Sequence, residues 1–366
     1  MEKVLVLNCG SSSIKFQVIE PQSSKVFFKG IAENLETDHA FLRFSSEGKE
    51  EARKLASSDY PHAIKAIIQL VQGEGMVAIG HRVVHGGASL RESVEITPYI
   101  LRTIKECIHL APLHNPVNVL GIEVMQAHFP LLPQVAVFDT AFHGSLPPHA
   151  YLYPLPYEYY EKYKIRRYGF HGINHRFVSI EAAKKLGIAL KNSSLISVHL
   201  GNGCSVCAIK GGKSVDISMG FTPLEGLMMG QRSGDIDPGL IAFLVEKLQI
   251  DVNEVTTILN KKSGLLGISG ISEDVRILLA NQKNRRVQIA IELFCYRIAK
   301  YIASYIVPLG KVDGLIFTGG IGENAEPIRN KIVEYVAFLH LKVLVIPANE
   351  ELAIARDTIH VIQGEQ

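Results

Sequence analysis

The feature that most constrains the fold is an order of short apolar runs and glycine-rich turns that occurs twice along the chain. In the first copy, a strand-like run ends at Leu7, a turn of Asn, Cys, Gly and Ser residues follows, and a second run begins at Ile14. A third run and then alternating helical and strand-like segments complete the copy. The strands predicted for it are residues 4–7, 14–19, 25–31, 77–80 and 135–138.

The second copy starts at Leu195 and follows the same order. Its predicted strands are residues 195–200, 204–209, 213–217, 315–317 and 343–346. Helices are predicted from about Arg285 to Tyr305, after Asn324 and from about Asn349. The pattern predicts an α/β fold with two copies of a βββαβαβ unit, and by itself it is also compatible with chance alternation. A chain of 366 residues exceeds the usual size of one hydrophobic core, so two domains are expected.

The composition limits the class of protein and its partners. Apolar residues make up 47% and charged residues 20% of the chain, which predicts a folded globular protein. The net charge of +2 is spread along the chain, so nucleic acid is not an expected partner. No apolar run reaches the roughly 20 residues that span a bilayer, and no signal-like segment precedes Val4, so we expect no membrane association and a cytoplasmic location. The five cysteines are expected to be reduced thiols.

Three glycine-rich turns have the composition of phosphate-binding loops. Small residues allow several backbone N–H groups to approach one anion. The turns are residues 8–13, 201–203 and 319–324, and the last leads from a strand into a helix, whose N-terminus favours negative charge. Any one of these turns alone is better explained by backbone geometry, whereas three in matching positions favour nucleotide binding. The sequence around Gly212-Lys213-Ser214 lacks the earlier glycine of a Walker motif.

Several charged residues occur where an α/β sheet places its ligands. Arg82 and Asp139 follow predicted strands, and open α/β sheets bind ligands at the carboxyl ends of their strands. Arg232 occurs in a loop of small and acidic residues, and an arginine matches a carboxylate or phosphate through two parallel hydrogen bonds. His171 occurs in the sequence YGFHG. An ordinary ion pair remains the alternative for each arginine.

A metal ion is expected to bind through oxygen rather than sulfur. Cys204 and Cys207 form a CxxC without a second pair, and this spacing in a strand sends the two side chains to opposite faces, so a zinc site is not predicted. Magnesium needs only one or two protein oxygens beside substrate phosphates. Asn8 and Glu350 could supply them.

These motifs, taken in order, resemble the acetate kinase family, within the superfamily of acetate and sugar kinases, Hsp70 and actin. The resemblance runs nearly end to end through VLVLNCGSSSIKF, HRVVHGG, PLHNP, VAVFDTAFH, YGFHG, VHLGNG, SMGFTPLEGLMMGQRSGDIDPG, SGLLGISG, FTGGIGEN and PANEELAIARD. It implies a duplicated βββαβαβ fold of the RNase H-like, actin-like ATPase type, with the active site in a cleft between two domains. The domains implied are residues 1–145, joined by a C-terminal helix at 352–366, and residues 146–351.

The resemblance also implies an activity. A member of this family would transfer the γ-phosphate of ATP to acetate, reversibly forming acetyl phosphate and ADP, as a homodimer with Mg²⁺ as cofactor and Mn²⁺ as a possible substitute. Propionate or butyrate is the alternative acceptor, because one methylene in an apolar pocket changes selectivity by only about 1–3 kcal/mol. A nucleotide-binding protein that has lost catalysis is a further alternative.

The resemblance assigns roles to individual residues. Asp139, His171 and Arg232 are the implied catalytic residues, and Arg82, Val84, Leu113 and Pro223 bind the acid and its methyl group. Asn8 and Glu350 are the magnesium-associated residues. The implied ATP-binding residues are Lys15, His199, Leu200, Gly201, Asn202, Gly203, Asp274, Val275, Arg276, Gly322, Glu323, Asn324, Ala325 and Glu326.

The chemistry of a carboxylate acceptor leads to one hypothesis that differs from the usual assignment. A carboxylic acid with a pKa of roughly 4.3 is already anionic at neutral pH, so no general base is needed to create the nucleophile. The obstacle is charge repulsion, which Arg82, Arg232, His171 and Mg²⁺ can offset. We therefore expect Asp139 to orient and charge Arg82 or His171 rather than to transfer a proton.

The sequence departs from the family pattern in two places. Between Val336 and Val343 the chain passes almost directly to the next strand, where a longer excursion is usual. Ile173 and Asn174 replace a Thr-Ser pair after YGFHG, which could change the support of His171.

Overall fold

A computed structural model of the chain describes residues 2–10, 12–46 and 48–364. The strands, in chain order, are β1 Lys3–Cys9, β2 Ile14–Glu20, β3 Lys25–Glu33, β4 Phe41–Ser46, β5 Lys49–Lys54, β6 Met76–Val83, β7 Val94–Glu95, β8 Gln134–Phe138, β9 Ser194–Leu200, β10 Cys204–Lys210, β11 Lys213–Ile217, β12 Gly314–Thr318 and β13 Val343–Val345.

The α-helices are α1 Tyr60–Val71, α2 Pro98–Glu106, α3 Asn115–His128, α4 Pro148–Tyr151, α5 Tyr157–Tyr163, α6 Gly172–Leu186, α7 Gly239–Leu248, α8 Val252–Lys261, α9 Gly264–Ser269, α10 Val275–Ala280, α11 Arg285–Ser304, α12 Ile306–Leu309, α13 Gly319–Asn324, α14 Glu326–Tyr335 and α15 Glu350–Ile362. Short 3₁₀ helices span Cys107–Leu110, Ala141–Ser145, Leu190–Asn192 and Ala337–Leu339. None of the helices in the described residues has the length and apolar character to cross a membrane.

The chain divides into two compact units, each built on one sheet. Unit 1 runs to Gly144 and resumes at Asn349, and unit 2 spans Ser145–Ala348. The sheet of unit 1 has the order β5-β4-β3-β2-β1-β6-β8-β7, and that of unit 2 the order β11-β10-β9-β12-β13. In both sheets, three antiparallel strands are followed by two strands that pair in parallel. The strands β3-β2-β1-β6-β8 of unit 1 therefore have the same arrangement as the whole sheet of unit 2. The predicted α/β class and the repeated strand order are therefore confirmed.

The prediction of three strands followed directly by helix was wrong in unit 1, where β4 and β5 extend the antiparallel part. The sequence of β5 is KEEARK, and every residue in it is exposed, so it has no apolar alternation that a sequence pattern could detect. It pairs with β4 along its whole length at the edge of the sheet. Charged edge strands of this kind discourage pairing with other chains.

Packing in the core of unit 1 holds the central strands in place. β1 is buried on both faces: Leu7 and Cys9 belong to an apolar cluster with α1 and α3, and α15 also contacts β1 and β6. A Cβ atom on Gly80 would overlap Thr358 of α15, so glycine is required for this close packing. The carboxyl ends of β1, β6 and β8 are thereby fixed side by side.

Candidate active site

In unit 1, Arg82 is the centre of a cluster of polar side chains at the carboxyl ends of parallel strands. Arg82 donates to both carboxylate oxygens of Asp139, from Nε to Oδ1 at 3.0 Å and from Nη2 to Oδ2 at 2.5 Å. It also donates from Nη1 to Asn8 Oδ1 at 3.1 Å, and its Nε lies 3.9 Å from Glu350 Oε2. β1, β6, the residue that follows β8 and the first turn of α15 therefore each contribute one member, as expected for the ligand end of an α/β sheet.

Burial and charge act in opposite directions on this cluster. Burial alone would lower the pKa of Arg82, but the carboxylates of Asp139 and Glu350 together outweigh it, so that pKa lies above its ordinary value. Burial raises the pKa of Glu350, against the opposing effect of Arg82. Asp139 is only 2% exposed and the Arg82 side chain 19%, so the ion pair is shielded from solvent on the carboxylate side. A guanidinium fixed in this way can receive an anion without first having to be ordered.

Two asparagines that sequence reasoning missed support the loop after β6. Asn118 accepts from the backbone N–H of Val84 at 3.0 Å and donates to the carbonyl of Cys9 at 2.8 Å. Asn115 bonds both the N–H and the C=O of His85, at 3.1 and 2.9 Å. Both asparagines are buried on α3. Asn115 is part of the motif PLHNP, so the sequence could have identified it. Asn118 lies outside every motif, and nothing in the sequence distinguishes it.

The other predicted residues of unit 1 differ in exposure. Lys15 lies opposite Asn8 in the antiparallel pair β1–β2, and its side chain is exposed. Val84, predicted to line the methyl pocket, is 5% exposed, whereas Leu113 is 67% exposed. Pro223, the third predicted pocket residue, lies in unit 2 and accepts a hydrogen bond from Arg232.

In unit 2, His171, Gly203 and Arg232 meet at one point. His171 directly precedes α6 and has left-handed backbone angles (φ 58°, ψ 20°), which histidine adopts more often than most residues. A Cβ atom on Gly203 would lie 3.2 Å from His171 Nε2 and 3.5 Å from Arg232 Nη1. The glycine turn predicted from the sequence therefore allows an imidazole and a guanidinium to approach the same segment of backbone.

The imidazole of His171 is embedded in further contacts. Its ring stacks on that of His199 with 4.2 Å between centroids. Its Nδ1 lies 2.9 Å from Ser205 Oγ, and Ser205 also contacts His175. Asn174 is one of the two residues that depart from the family pattern, and its side-chain nitrogen lies 2.8 Å from His199 Nδ1. Through this bond it supports His199 rather than His171 directly. Sequence reasoning missed Ser205 and His175.

Arg232 is a half-buried cation with neutral partners. Its Nη1 donates to the carbonyl of Pro223 at 3.3 Å and lies 3.8 Å from Met229 Sδ. Burial lowers the pKa of Arg232. A cation that has lost solvent and is bonded to neutral groups gains more than an exposed one when an anion binds.

The loop that carries Arg232 is tied to the segment that carries His171. Arg167, four residues before His171, pairs with Glu225 at 2.5 Å and donates to the carbonyls of Ile217, Ser218 and Met219. Tyr301 donates to Asp235 at 2.5 Å on the other side of the loop. The relative position of His171 and Arg232 therefore also depends on Arg167 and Tyr301, which lie outside the motifs quoted above.

The predicted phosphate turn after β12 has an internal partner for one of its N–H groups. Gly319 has φ +79°, and a Cβ there would lie 2.7 Å from the Leu200 carbonyl, so glycine is required. The backbone N–H of Gly319 donates to Glu323 Oε1 at 3.0 Å, and that oxygen also accepts from Ala348 at 2.8 Å. Glu323 therefore has a structural role in this unit whether or not it contacts a nucleotide.

Most of the other predicted nucleotide residues lie in or next to the short helices α10 and α13 and the start of α14. Asp274 caps α10 by accepting from the N–H of Arg276 at 2.8 Å, and it pairs with the exposed Arg276 side chain. Glu326 begins α14. The others are Val275, which is buried, the α13 residues Gly322 and Asn324, Ala325 before α14, and Asn202 in the β9–β10 turn.

The described residues contain no group of three or more His, Cys, Asp or Glu side chains that could bind a metal ion. The five cysteines, all described, are buried and form no disulfide, and burial raises the pKa of each thiol. The side-chain oxygens of Asn8 and Glu350 lie near Arg82, and oxygen is the donor type that Mg²⁺ prefers.

Comparison with known proteins decides the family. A model described as "Acetokinase family" matches residues 3–353. The chain belongs to the acetokinase family. The resemblance seen in the motifs is thereby confirmed, and so is a two-domain α/β fold.

Relatives of the acetokinase chain match it over almost their whole length. A protein of Caldicellulosiruptor saccharolyticus named acetate kinase is 48% identical over 397 aligned residues, covering 99% of this chain and 100% of the relative. The solved acetate kinase of Porphyromonas gingivalis is 39% identical with a TM-score of 0.94, covering 99% of this chain and 100% of that one. A solved propionate kinase from Francisella tularensis is 44% identical, also with a TM-score of 0.94 and the same coverage.

The acetokinase relatives are longer than this chain, since the first alignment runs over 397 positions and the chain has 366 residues. The sequence placed a shortening between Val336 and Val343. There α14 ends at Tyr335, a 3₁₀ helix spans Ala337–Leu339, and β13 pairs in parallel with β12. The short link therefore still allows the fifth strand of the sheet to form, and Glu350 remains at the start of α15.

Proposed function

We propose that this chain transfers the γ-phosphate of ATP to acetate, reversibly forming acetyl phosphate and ADP. Membership of the acetokinase family over residues 3–353 supports this activity. The observation that carries the proposal for this chain is that its cations are placed in two fixed groups, Arg82 bonded to Asp139 and His171 beside Arg232. A reaction between two anions needs such groups, because repulsion between carboxylate and phosphate is its main obstacle.

In this proposal Arg82 binds the carboxylate of acetate, and Val84, Leu113 and Pro223 are assigned to its methyl group. Asp139 orients Arg82 through two hydrogen bonds, at 3.0 and 2.5 Å. A carboxylate already engaged in this way is poorly placed to accept a substrate proton, and acetate at neutral pH has none to give.

His171 and Arg232 are proposed to stabilise the phosphoryl group during transfer. The ATP phosphates are assigned to Lys15 and to the turn from His199 to Gly203, whose glycines leave room for close approach. The nucleoside is assigned to residues 274–276 and 322–326. The functional domains are proposed as residues 1–145 with 352–366, and residues 146–351, in a protein of the cytoplasm.

We propose Mg²⁺ as the cofactor, with Asn8 and Glu350 as its protein ligands and Mn²⁺ as a substitute. When bound, the ion would neutralise charge on the phosphates. The two oxygens fit because both are hard donors and both belong to the same cluster at the strand ends. Glu350→Gln should raise the Mg²⁺ concentration for half-maximal activity by on the order of tenfold, with Glu351→Gln as the neighbouring control. Equal Mg²⁺ dependence in both variants would remove Glu350 from the metal site.

We also propose that the chain forms a homodimer through α7. No residue of α7 is buried, and Leu240, Phe243 and Leu248 are exposed although the helix is mostly apolar. A second copy would remove this apolar surface from water. Analytical ultracentrifugation should give twice the chain mass of 40.3 kDa, and Phe243→Asp should give the chain mass itself. A monomeric parent protein would contradict the proposal.

The activity is tested by ADP release with Mg²⁺ATP and, separately, acetate, propionate and butyrate. Acetate should give the highest kcat/KM; a higher value with propionate would favour the alternative that the Francisella tularensis propionate kinase suggests. Arg232→Ala should abolish turnover, whereas Arg53→Ala, which removes an exposed arginine paired with Glu51, should not. ATP binding without turnover in the parent protein would favour a catalytically degenerate nucleotide-binding protein.

A further inference from the structure

A chain of hydrogen bonds runs from His171 into the core of unit 2. Ser205 Oγ, on β10, lies 2.9 Å from His171 Nδ1 and 2.8 Å from His175 Nε2. His175 Nδ1 is in turn 2.9 Å from Ser197 Oγ on β9. His175, Ser197 and Ser205 are fully buried. Beyond His171, every member of this relay therefore lies inside the protein.

The single hydroxyl proton of Ser205 makes the two imidazoles unequal. Ser205 can donate its O–H to only one ring, and it accepts from the other. If it donates to His171 Nδ1, the His171 ring is neutral and its proton is on Nε2. His175 then donates from Nε2 to Ser205 and accepts from Ser197 at Nδ1. If Ser205 instead accepts from His171, every bond in the relay reverses, so the direction of the relay decides the tautomer of His171.

We propose that Ser205 donates to His171, and that Ser205 and His175 are positioning residues that keep the His171 proton on Nε2. This inference rests on the proposed function, in which phosphoryl oxygens come to His171 and Arg232. The Nε2 edge faces the turn, since a Cβ on Gly203 would be 3.2 Å from Nε2 and 3.5 Å from Arg232 Nη1. A lone pair on Nε2 would repel a phosphoryl oxygen at that point, whereas an N–H group donates to it.

Arg232 and two further imidazole rings of unit 2 lie close to the His171 ring. Arg232 reaches the same point as the Nε2 edge, so an anion there could accept hydrogen bonds from both side chains. The His199 ring stacks on that of His171 with 4.2 Å between centroids, and the centroid of the His175 ring lies 6.4 Å from that of His171.

Imidazole ¹⁵N spectra of histidine-labelled protein test the tautomer without any substrate. At pH 8 the His171 signals, identified by their loss in His171→Asn, should show a proton on Nε2 and an acceptor nitrogen at Nδ1. Ser205→Ala should convert His171 to a mixture of tautomers, and Ser179→Ala, which removes a buried hydroxyl bonded to the nearby Arg176 carbonyl, should not. A His171 protonated at Nδ1 in the parent protein, as neutral ring or as cation, would overturn the proposal.

Kinetics test whether Ser205 acts through His171. Ser205→Ala should lower kcat about tenfold with little change in KM, as expected for one lost hydrogen bond at a catalytic ring. In a His171→Ala background the same substitution should have no further effect. Additive losses would show a role independent of His171 and would refute the inference. If Ser205→Ala does not fold, His175→Gln, which retains hydrogen bonding but has no tautomers, serves in its place. The correct tautomer in a protein without kinase activity would refute the proposed function and leave the relay intact.

Discussion

Replacing Asp139 by asparagine separates an orienting role from a proton-transfer role, because the two predict different kinetic changes. In the parent protein, Asp139 accepts two charge-assisted hydrogen bonds from Arg82, at 3.0 and 2.5 Å, and is 2% exposed. The amide side chain of the variant would keep one acceptor and place an NH₂ group against a guanidinium N–H. The loss of one charge-assisted bond, about 2–3 kcal/mol, corresponds to a decrease in kcat/KM for acetate of roughly 30- to 150-fold.

The assay is steady-state ADP release over a range of acetate concentrations and pH values. We expect the loss of activity in Asp139→Asn to fall mainly on the KM for acetate, because a misplaced Arg82 binds the carboxylate poorly, and we expect the shape of the pH–rate profile to be retained. Glu74→Gln, which removes a partly exposed carboxylate from a pair with Lys3, should change kcat/KM less than about twofold. A titrating limb that disappears from the profile while KM stays unchanged would refute the reasoning and restore Asp139 as an acid or base.

Two further predictions concern the folded state. Gly319→Ala should lower the free energy of unfolding by about 1–3 kcal/mol, because φ is +79° and the new Cβ would lie 2.7 Å from the Leu200 carbonyl, whereas Gly320→Ala meets no atom within 4 Å and should be neutral or slightly stabilising in urea titrations. Equal effects of the two substitutions would contradict the backbone argument. Burial lowers the pKa of His81 to about 4. Below the unfolded pKa of about 6.5, the unfolded chain binds a proton at this imidazole and the folded protein does not. The contribution of the neutral His81 ring to stability is therefore full above about pH 6.5 and is lost as the pH falls towards 4. The free energy of unfolding from urea titrations should therefore fall between about pH 6.5 and pH 5, by about 2 kcal/mol from this residue, and less steeply in His81→Gln; an unchanged slope in that variant would assign the acid sensitivity elsewhere.

The sequence predicts those residues of the site that lie at the ends of strands. Arg82 and Asp139 were identified because a charged residue directly after a buried parallel strand lies where such sheets place their ligands, and the structure brings them into contact. The glycine turn at Gly203 was identified because only small residues allow a backbone to approach other groups closely, and His171 and Arg232 do converge there. The roles of these residues in catalysis stay predictions.

What the sequence alone determined is therefore the repeated α/β order and the family, since both depend on local apolar periodicity and on motifs read in a line. Only the tertiary structure decided that Ser205 and His175 stand behind His171, that Asn118 joins two strand ends, and that Glu323 accepts from Gly319. A buried serine or asparagine has no periodic signature, and its partner is set by residues far away in the chain. The same limit applies to β5, whose charged sequence becomes a strand only because β4 offers an edge to pair with.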